Sequence, residues 1–349
     1  MPWVSRALRI ERAALLLALL LPGCGDGREP LTLYSPHVRE QLDLLERDFE
    51  KKNPDIDLRW LDMGSQEILD RLRFENPNPV ADLWFGGPTT IFDRGIKEGV
   101  LEPYRPSWWK SVDTTGIGPN DLYYPVYRTP AVIAYNSKLV TAAEAPKDWD
   151  DVLAPHWRDK VIIRDPVASG TMRAIWGMVI QRGIKSNGDT AAGMAWLRLL
   201  DGQTRTYALN PAILDQMLAR GEGLVTLWDL PDVLISKSKG LPYGYTFPAS
   251  GTVVIDDAIG IVRGSKHRLA AQRFIEYVGG IDAQILTAEK VWRLPARRDL
   301  PHDRVPAWVA EVDSEMVTAP MDWALLAKEG AGWMRYWDQR VRGTGKSHQ

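Results

Sequence analysis

The sequence predicts an α/β protein in which short strands and helices alternate along the chain. Three observations lead to this prediction. Runs rich in β-branched and aromatic residues recur, turn residues such as Ser, Gly and Pro follow them, and apolar side chains at helical spacing come next. Such an alternation favours largely parallel sheets. The 349 residues are enough for two compact domains.

The first part of the chain contains three strand–helix pairs. The first helix carries apolar side chains at helical spacing from Val38 to Phe49, and Asn53-Pro54 ends it. Gly64-Ser65 and Gly86-Gly87-Pro88 are typical of turns between a strand and a helix. The strands are predicted at 31–34, 56–60 and 80–85, and the helices at 38–49, around 68–72 and up to 97.

The alternation continues through the second part of the chain. The clearest helix starts at Thr171, where apolar residues from Met172 to Ile180 follow the spacing i, i+3, i+4, i+7, i+8. A Pro at position 211 is typical of a helix start. Strands are predicted at 131–135, 160–164, 224–228 and within 253–262, and helices at 148–153, from 171, from 211 and at 269–277.

Charge is nearly balanced, with 43 Lys and Arg against 45 Asp and Glu. A protein that binds a nucleic-acid backbone usually carries a basic excess or stripe, so nucleic acid is not expected as a partner. The chain has 15 tryptophans, a residue type that fills cores and lines ligand clefts alike.

The N-terminus is typical of an exported protein. Arg6, Arg9 and Arg12 are positively charged, and the apolar residues 13–21 are too few to span a bilayer. The LPGC sequence that ends at Cys24 resembles a bacterial lipoprotein signal. We therefore predict a signal peptide at 1–23, a lipid on Cys24, a tether at 24–30, and a location in the periplasm or on the outer cell surface. The alternative is an ordinary secretory signal in which this single cysteine is incidental.

The sequence contains no recognisable catalytic or metal-binding pattern. Its five histidines are scattered, without an H-E-x-x-H motif or another close metal pair. A G-x-S-x-G motif is also absent. The paired acids at 150–151 and 256–257 are most simply solvated charges. We therefore expect no enzyme activity, no cofactor and no resident metal.

Four segments of the chain carry a resemblance to one family of receptors. They read LTLYSPHVREQLDLLERDFEKKNP, ADLWFGGPTTIFDRGIKEGVLEPY, VIAYNSKLV with APKDWDDVLAPHWRDKVIIRDPVASGT, and FPASGTVVIDDAIGIVRGSKHRLAAQRFIEYV. In this order they resemble the bacterial extracellular solute-binding proteins of the group that includes receptors for ferric ions, phosphonates and hexose phosphates. The similarity runs from about Leu31 to Pro295.

The resemblance implies a type-2 periplasmic binding fold with two α/β lobes, two crossover strands and a ligand cleft. Residues 31–128 and 251–300 would form lobe 1, 129–250 lobe 2, and 301–349 a helical segment that packs on a lobe. It also implies a monomeric receptor that needs no cofactor and delivers a small solute to the permease and ATPase subunits of an ABC importer. The lipid anchor would be its only membrane contact.

The expected solute differs from the ferric ion of some members. The resemblance implies adjacent tyrosines after the strand at 224–228, but Leu230 and Pro231 stand there, and Gly86-Gly87 stands where an acid is expected. Because ferric iron prefers anionic oxygen ligands, an organophosphate or phosphonate anion is favoured. The alternatives are a ferric receptor with non-standard ligands, a polyamine, thiamine or carbohydrate receptor, and an exported phosphate-ester enzyme. A sensory role is also open.

The candidate solute contacts lie where strands end and helices begin, because ligands of open α/β sheets bind beyond the carboxyl ends of strands. Ser169, Gly170 and Thr171 begin a helix with free N–H groups and predict an anion site. The alternative is that the two hydroxyls simply cap the helix. Asp229 could receive an amine or a sugar hydroxyl, or be a surface acid, and Trp228 could stack on the solute or pack in a core.

Two arginines are candidates for pairing with an anion. Arg128 precedes the expected crossover, and Arg173 lies in the first turn of the helix, where a solvated charge is the simpler interpretation. The complete set of predicted solute contacts is Ser35, Ser65, Gly87, Thr89, Arg128, Ser169, Gly170, Thr171, Trp228 and Asp229.

Overall fold

The structure, a computed structural model, describes residues 27–345 of the chain. The predicted signal peptide and Cys24 lie outside the described residues. One mixed sheet of eleven strands runs through this part of the protein, with helices packed on it. Among the described helices, none is both long enough and apolar enough to cross a membrane.

The helices and strands alternate as the sequence predicts, with additional elements in the second half. The strands are β1 (Glu29–Ser35), β2 (Ile56–Asp62), β3 (Leu83–Pro88), β4 (Leu101–Glu102), β5 (Tyr124–Asn136), β6 (Val161–Arg164), β7 (Thr204–Ala208), β8 (Val225–Asp229), β9 (Tyr243–Thr246), β10 (Val254–Val262) and β11 (Leu294–Pro295). The helices are α1 (Arg39–Lys52), α2 (Ser65–Glu75), α3 (Thr89–Lys97), α4 (Gly170–Asn187), α5 (Ala191–Gln203), α6 (Pro211–Ala219), α7 (Leu230–Ser238), α8 (Arg268–Val278), α9 (Ile281–Val291), α10 (Ala307–Glu315) and α11 (Trp323–Arg340).

The order of the main strands is β2-β1-β3-β10-β5-β8-β6-β7. The outer pairs are parallel, as in β1 with β2 and β6 with β7. The central strand β5 is antiparallel to both β10 and β8. The prediction of largely parallel sheets is therefore wrong at the centre, because β10 enters the sheet in the direction opposite to β5.

Strand β5 belongs to both halves of the sheet. Its residues 124–130 pair with β10, and residues 131–135 pair with β8. We call the half with β2, β1, β3 and β10 lobe 1, and the half with β8, β6, β7 and β9 lobe 2. The lobe boundaries that the sequence predicts, 129 and 250, remain predictions.

Each lobe has its own aromatic core. In lobe 1, the rings of Phe49 and Phe85 pack edge-on against Phe274, with centroids 5.1 Å and 5.8 Å from it. In lobe 2, Trp337 of α11 packs edge-on against Trp176 of α4 at 5.8 Å. Full burial of one such side chain contributes about 2–3 kcal/mol. Helix α11 therefore packs firmly on lobe 2, and it also contacts α3 of lobe 1.

Some elements differ from the prediction. The strand expected at 80–85 starts only at Leu83, because Val80 is exposed and its N–H donates to the Oε2 atom of Glu75 at 3.0 Å. The helix expected at 148–153 is a 3-10 helix that Asp148 caps. Seven elements were not predicted from the sequence, namely β4, α5, β7, α7, β9, α9 and β11, whereas α10 and α11 lie within the helical segment expected at 301–349.

Candidate functional site

Strand ends of the two lobes meet at one place. A Cβ atom added at Gly170, the first residue of α4, would lie 2.6 Å from the Cδ atom of Pro88 and 3.0 Å from the Oγ atom of Ser65. Nearby, a Cβ atom at Gly64 would lie 3.0 Å from the carbonyl oxygen of Ala168. The predicted residues Ser65 and Gly170 are thus neighbours across the two lobes, and a residue without a side chain is required at position 170.

The glycine pair at the end of β3 lets the backbone approach buried polar groups. Gly86 and Gly87 have φ of +99° and +96°, a region that residues with side chains rarely adopt. A Cβ atom at Gly86 would lie only 2.5 Å from the Cε1 atom of His37. The N–H of Gly87 donates to the Oδ1 atom of Asp257 at 3.0 Å. The predicted residue Gly87 therefore lies at the site, held by a carboxylate that the sequence analysis had not assigned to it.

Asp257 is a buried carboxylate, so the prediction of a solvated pair at 256–257 is wrong for it. It is 7 % exposed, and its Oδ2 atom accepts the hydroxyl hydrogen of Thr129. Burial raises the pKa of Asp257. The interpretation failed because charge pairs in sequence say nothing about which strand face points into the protein. The acids at 150–151 are exposed, as predicted.

Ser35 and His37 form a buried pair at the end of β1. The Oγ atom of Ser35 lies 3.0 Å from the Nδ1 atom of His37 and accepts the backbone N–H of His37 at 3.2 Å. Burial, with the positive charge of Arg293, lowers the pKa of His37 well below its usual range, so the imidazole is neutral. The sequence analysis missed His37, although it follows a Ser-Pro turn at a strand end.

The start of α4 combines helix capping with backbone donors that are unpaired within the helix. The Oγ atom of Ser169 accepts the N–H of Met172 at 3.3 Å, so Ser169 does cap the helix. The Oγ1 atom of Thr171 lies 3.5 Å from the Oδ2 atom of Asp229. The backbone N–H groups of Gly170 and Thr171 have no partner within this helix, because the first turn of an α-helix leaves its N–H groups unpaired.

Asp229 ends β8 and caps α7. Its Oδ1 atom accepts the N–H of Asp232 at 3.1 Å, and burial, with the nearby carboxylate of Asp232, raises the pKa of Asp229 well above its usual range. Burial also raises the pKa of Asp232 to about 6. The neighbouring Trp228 points into the lobe 2 core and is 4 % exposed. We therefore leave Trp228 out of the proposed solute contacts.

Arg293 is a buried cation that the sequence analysis did not single out. It is 3 % exposed. Its Nε atom donates to the Oε1 atom of Gln41 in α1, and its Nη2 atom lies 3.3 Å from the Oδ1 atom of Asp232 in α7. One guanidinium group thus joins a helix of lobe 1 to a helix of lobe 2. Its charge lowers the pKa of Asp229, Asp232 and Asp257 against the effect of burial.

Several buried polar atoms around Arg293 have no hydrogen-bond partner in the part of the chain that the structure describes. They are the Nε2 atoms of His37 and Gln41 and the hydroxyl of Tyr127. The rings of His37 and Tyr127 are 5.9 Å apart. Since buried polar groups in native proteins nearly always have a partner, these three atoms are available to a polar group that reaches them.

The two remaining predicted contacts, Thr89 and Arg128, differ from each other in where they lie. Thr89 begins α3 and is partly exposed beside the glycine pair. Arg128 points to the opposite face of β5 from Thr129. Its Nη1 and Nη2 atoms donate to the two carboxylate oxygens of Asp313 at 2.9 Å and 3.0 Å. This bidentate pair occupies the guanidinium group, so Arg128 is not a solute contact in this arrangement and we leave it out.

Over residues 27–345, no group of three or more His, Cys, Asp or Glu side chains is placed to hold a metal ion. The donors at this place are hydroxyls, backbone N–H groups and one guanidinium, and the acceptors are carboxyl groups with raised pKa. Such a set can bind a small polar solute through hydrogen bonds.

Comparison with protein families decides the class of this protein. Residues 78–317 match the family model described as bacterial extracellular solute-binding protein. The chain belongs to this family. Members of it are transport proteins rather than enzymes, and they bind a small solute for an ABC transporter with permease and ATPase subunits. The export that the sequence predicts agrees with an extracellular or periplasmic solute-binding protein.

Individual relatives of this solute-binding protein share about a quarter of its residues. A probable ABC transporter periplasmic-binding protein of Sinorhizobium fredii is 26% identical and covers 96% of this chain and 92% of its own. A periplasmic protein of Salmonella typhimurium named for 2-aminoethylphosphonate binding is 26% identical, with 84% and 87% covered. The structure of AfuA from Actinobacillus pleuropneumoniae with fructose-6-phosphate bound has a TM-score of 0.78 at 20% identity, with 91% and 100% covered. The likeness to AfuA shows the two-lobed periplasmic binding fold.

Proposed function

We propose that this solute-binding protein captures a small solute with a phosphoryl or phosphonyl group between its lobes. The observation that carries the proposal is the meeting of Ser65 with Gly170. A hydroxyl of lobe 1 and the N-terminus of a lobe 2 helix face the same point, and free N–H groups at a helix start bind anions. An anion placed there would hold the lobes together.

The unpaired donors of the site support this proposal. Ser65 is 4 % exposed, and its hydroxyl has no hydrogen-bond partner among residues 27–345. The Nε2 atom of Gln41 is also without a partner in that part of the chain, and so is that of His37, which donates when Nδ1 accepts the hydroxyl hydrogen of Ser35. A tetrahedral oxyanion has enough acceptor oxygens to receive several such donors. The names of the Salmonella and Actinobacillus proteins favour the same chemical class.

The buried carboxylates favour a solute that also carries an amine. Asp229, Asp232 and Asp257 lie around the cation Arg293, and burial raises the pKa of each carboxyl. A protonated amine beside them would relieve the repulsion. An aminoalkylphosphonate has both groups and is our first candidate, ahead of a hexose phosphate. A polyamine, thiamine or a neutral sugar would use the carboxylates but leave the anion site unfilled.

We expect a binding screen to separate these candidates. The purified protein is tested by thermal shift and calorimetry with 2-aminoethylphosphonate, fructose-6-phosphate, spermidine, thiamine, glucose and ferric citrate. A solute at 100 times its Kd stabilises the folded state by about 2.7 kcal/mol. Ser65→Ala and Thr171→Val should each raise the Kd of the phosphorylated or phosphonate solute about tenfold, since a hydrogen bond to a charged group is worth about 1.5–3 kcal/mol.

Ser186→Ala is the matched control for this screen. Its Oγ atom donates to the carbonyl oxygen of Gly183 at 3.1 Å, in the last turns of α4 and away from the site. Its Kd should stay within about twofold of the unchanged protein. Binding of only amines or neutral sugars, with no effect of Thr171→Val, would contradict the anion part of the proposal. A phenolate absorption band with ferric citrate would support the ferric alternative instead.

We also propose that the protein is a monomer tethered to the membrane by a lipid on Cys24. The tether is expected to keep the solute cleft near the permease. In cells, Cys24→Ser should abolish incorporation of radiolabelled palmitate and move the protein from the membrane fraction to the soluble exported fraction. Ser5→Ala, within the same predicted signal peptide, is the control and should leave both unchanged. Unchanged labelling of the Cys24→Ser protein would contradict the anchor and leave an ordinary secretory signal.

A further inference from the structure

A group of positively charged side chains lies beside the solute cleft. Helix α11 covers a cavity of about 250 Å³, which three arginines from three different helices line. Arg94 comes from α3 of lobe 1, Arg173 from α4 of lobe 2, and Arg335 from α11. Arg94 and Arg173 are half-buried, and Arg335 lies at the exposed rim.

The guanidinium groups of Arg94 and Arg173 contact neutral atoms rather than carboxylates. Arg94 donates to the Oε1 atom of Gln66 at 2.6 Å, and Arg173 donates to the carbonyl oxygen of Val167 at 2.5 Å. The Nε atom of Arg173 is buried and has no partner among the described residues. Within residues 27–345, none of the three arginines forms an ion pair. The interpretation of Arg173 as a solvated charge is therefore wrong.

The acids near the cavity are paired elsewhere. Asp338 lines the cavity, but its Oδ1 atom accepts from the Nη1 atom of Arg342 at 3.0 Å. Asp165 is 3.0 Å from the Nη2 atom of the same arginine. Asp70 is 3.4 Å from Arg73. The positive charge around the cavity is thus left without a direct partner.

A charge without a direct ion-pair partner in a partly buried place is unfavourable. Burial lowers the pKa of Arg173 to about 10, and the charge of Arg94 acts in the same direction, while the carboxylates of Asp70 and Asp165 act against it. Burial also lowers the pKa of Arg94. Such a cavity gains stability when an anion enters, and planar guanidinium groups bind tetrahedral oxyanions through paired hydrogen bonds.

We propose that the cavity lined by Arg94, Arg173 and Arg335 is a binding site for a phosphate-type oxyanion. The anion would contact both lobes and α11 at once. The inference goes beyond the proposed function, because this cavity lies on the flank of the cleft and contains none of the residues around Arg293. The bound oxyanion is either free inorganic phosphate or the phosphoryl end of a solute that reaches out of the cleft.

The test is calorimetric titration of the purified protein with inorganic phosphate. Arg94→Gln and Arg335→Gln should each raise the Kd for phosphate about tenfold, since each removes one charge-assisted contact. Arg340→Gln is the matched control, because it removes the same charge from an exposed position on the same helix. Its Kd should stay within about twofold. Ser65→Ala distinguishes this cavity from the cleft, because Ser65 does not line the cavity. This variant should not change phosphate binding here.

Absence of phosphate binding in the unchanged protein at millimolar concentration would overturn the inference. So would phosphate binding that the Arg94→Gln and Arg335→Gln variants retain within twofold. A second titration, with 2-aminoethylphosphonate in the presence of saturating phosphate, identifies the source. Competition and loss of solute affinity in Arg335→Gln assign the site to the solute's own phosphoryl group. Independent binding of both assigns it to free phosphate. If phosphate binds as expected but no solute does, only the proposed function has failed.

Discussion

Replacing Gly170 by alanine is expected to weaken solute binding by at least about 100-fold, or about 2.7 kcal/mol, without unfolding the protein. The new methyl carbon would lie 2.6 Å from the Cδ atom of Pro88, whereas carbon atoms at rest are about 3.5–4.0 Å apart. A proline ring cannot rotate away, so lobe 1 and lobe 2 must separate. Separation takes Ser65 away from the start of α4, and the anion loses its donors on one side.

Calorimetry with the solute identified by the screen measures this effect, and thermal unfolding checks that the fold is intact. Gly332→Ala is the matched control. Its Cβ atom would have no neighbour closer than 3.9 Å, and alanine favours a helix over glycine by up to about 1 kcal/mol. This control should bind normally and unfold at the same or a slightly higher temperature. Normal binding by Gly170→Ala would show that the lobes do not need this contact to hold the solute.

Replacing Arg293 by methionine is expected to destabilise the protein by about 3–5 kcal/mol at pH 8, because it leaves the buried carboxylates near it without their cation. Arg293 lowers the pKa of Asp229, Asp232 and Asp257, so its removal raises all three pKa values further. A carboxyl whose pKa is higher in the folded state than in the unfolded state stabilises the fold less as pH rises between the two values. For Asp232 that range runs from the unfolded value of 3.8 to about 6, and in the variant it extends upward.

The loss should therefore be smaller at pH 5 than at pH 8, and urea denaturation at both values measures it. Arg304→Met is the control. Arg304 pairs with Asp282 at 2.8 Å on the surface, where an ion pair is worth about 1 kcal/mol or less. The Arg304 side chain holds the pKa of Asp282 below its usual range. The destabilisation caused by Arg304→Met should therefore be the same from pH 5 to pH 8. An equal loss at both pH values in Arg293→Met would contradict the electrostatic explanation.

The alternation of strands and helices could be predicted because the residues of one short segment determine each strand, turn or helix. The capping role of Ser169 was also local. Gly86-Gly87 was predicted as a turn after a strand that ends at residue 85, but both glycines lie within β3. The direction of β10 could not be predicted, since it depends on how the chain returns to lobe 1. The start of β3 could not be predicted, because Val80 is a β-branched residue, and the sequence does not show whether such a residue lies at an exposed turn or in a buried strand.

The candidate site was predictable in part for the same reason. Small and hydroxyl residues at strand ends, such as Ser65 and Gly170, are visible in sequence and do come together. Arg293 and Asp257 lie in segments of ordinary composition, and their importance comes from burial beside each other. Arg128 was assigned to the cleft by its position before the crossover, but a strand alternates its faces and Asp313 was not foreseeable as its partner. Tertiary packing decides such cases.

Helix α11 affects how quickly the two lobes can move. Trp337 fixes it to Trp176 in lobe 2, while its other side contacts α3 in lobe 1. A protein with crossover strands alone opens by rotation of a few backbone angles, whereas packed helices move by small sliding steps. If the proposed cleft opens, we expect α3 to slide along α11 or to leave it. The rate of solute release should then depend on the last helix of the described residues as well as on the contacts inside the cleft.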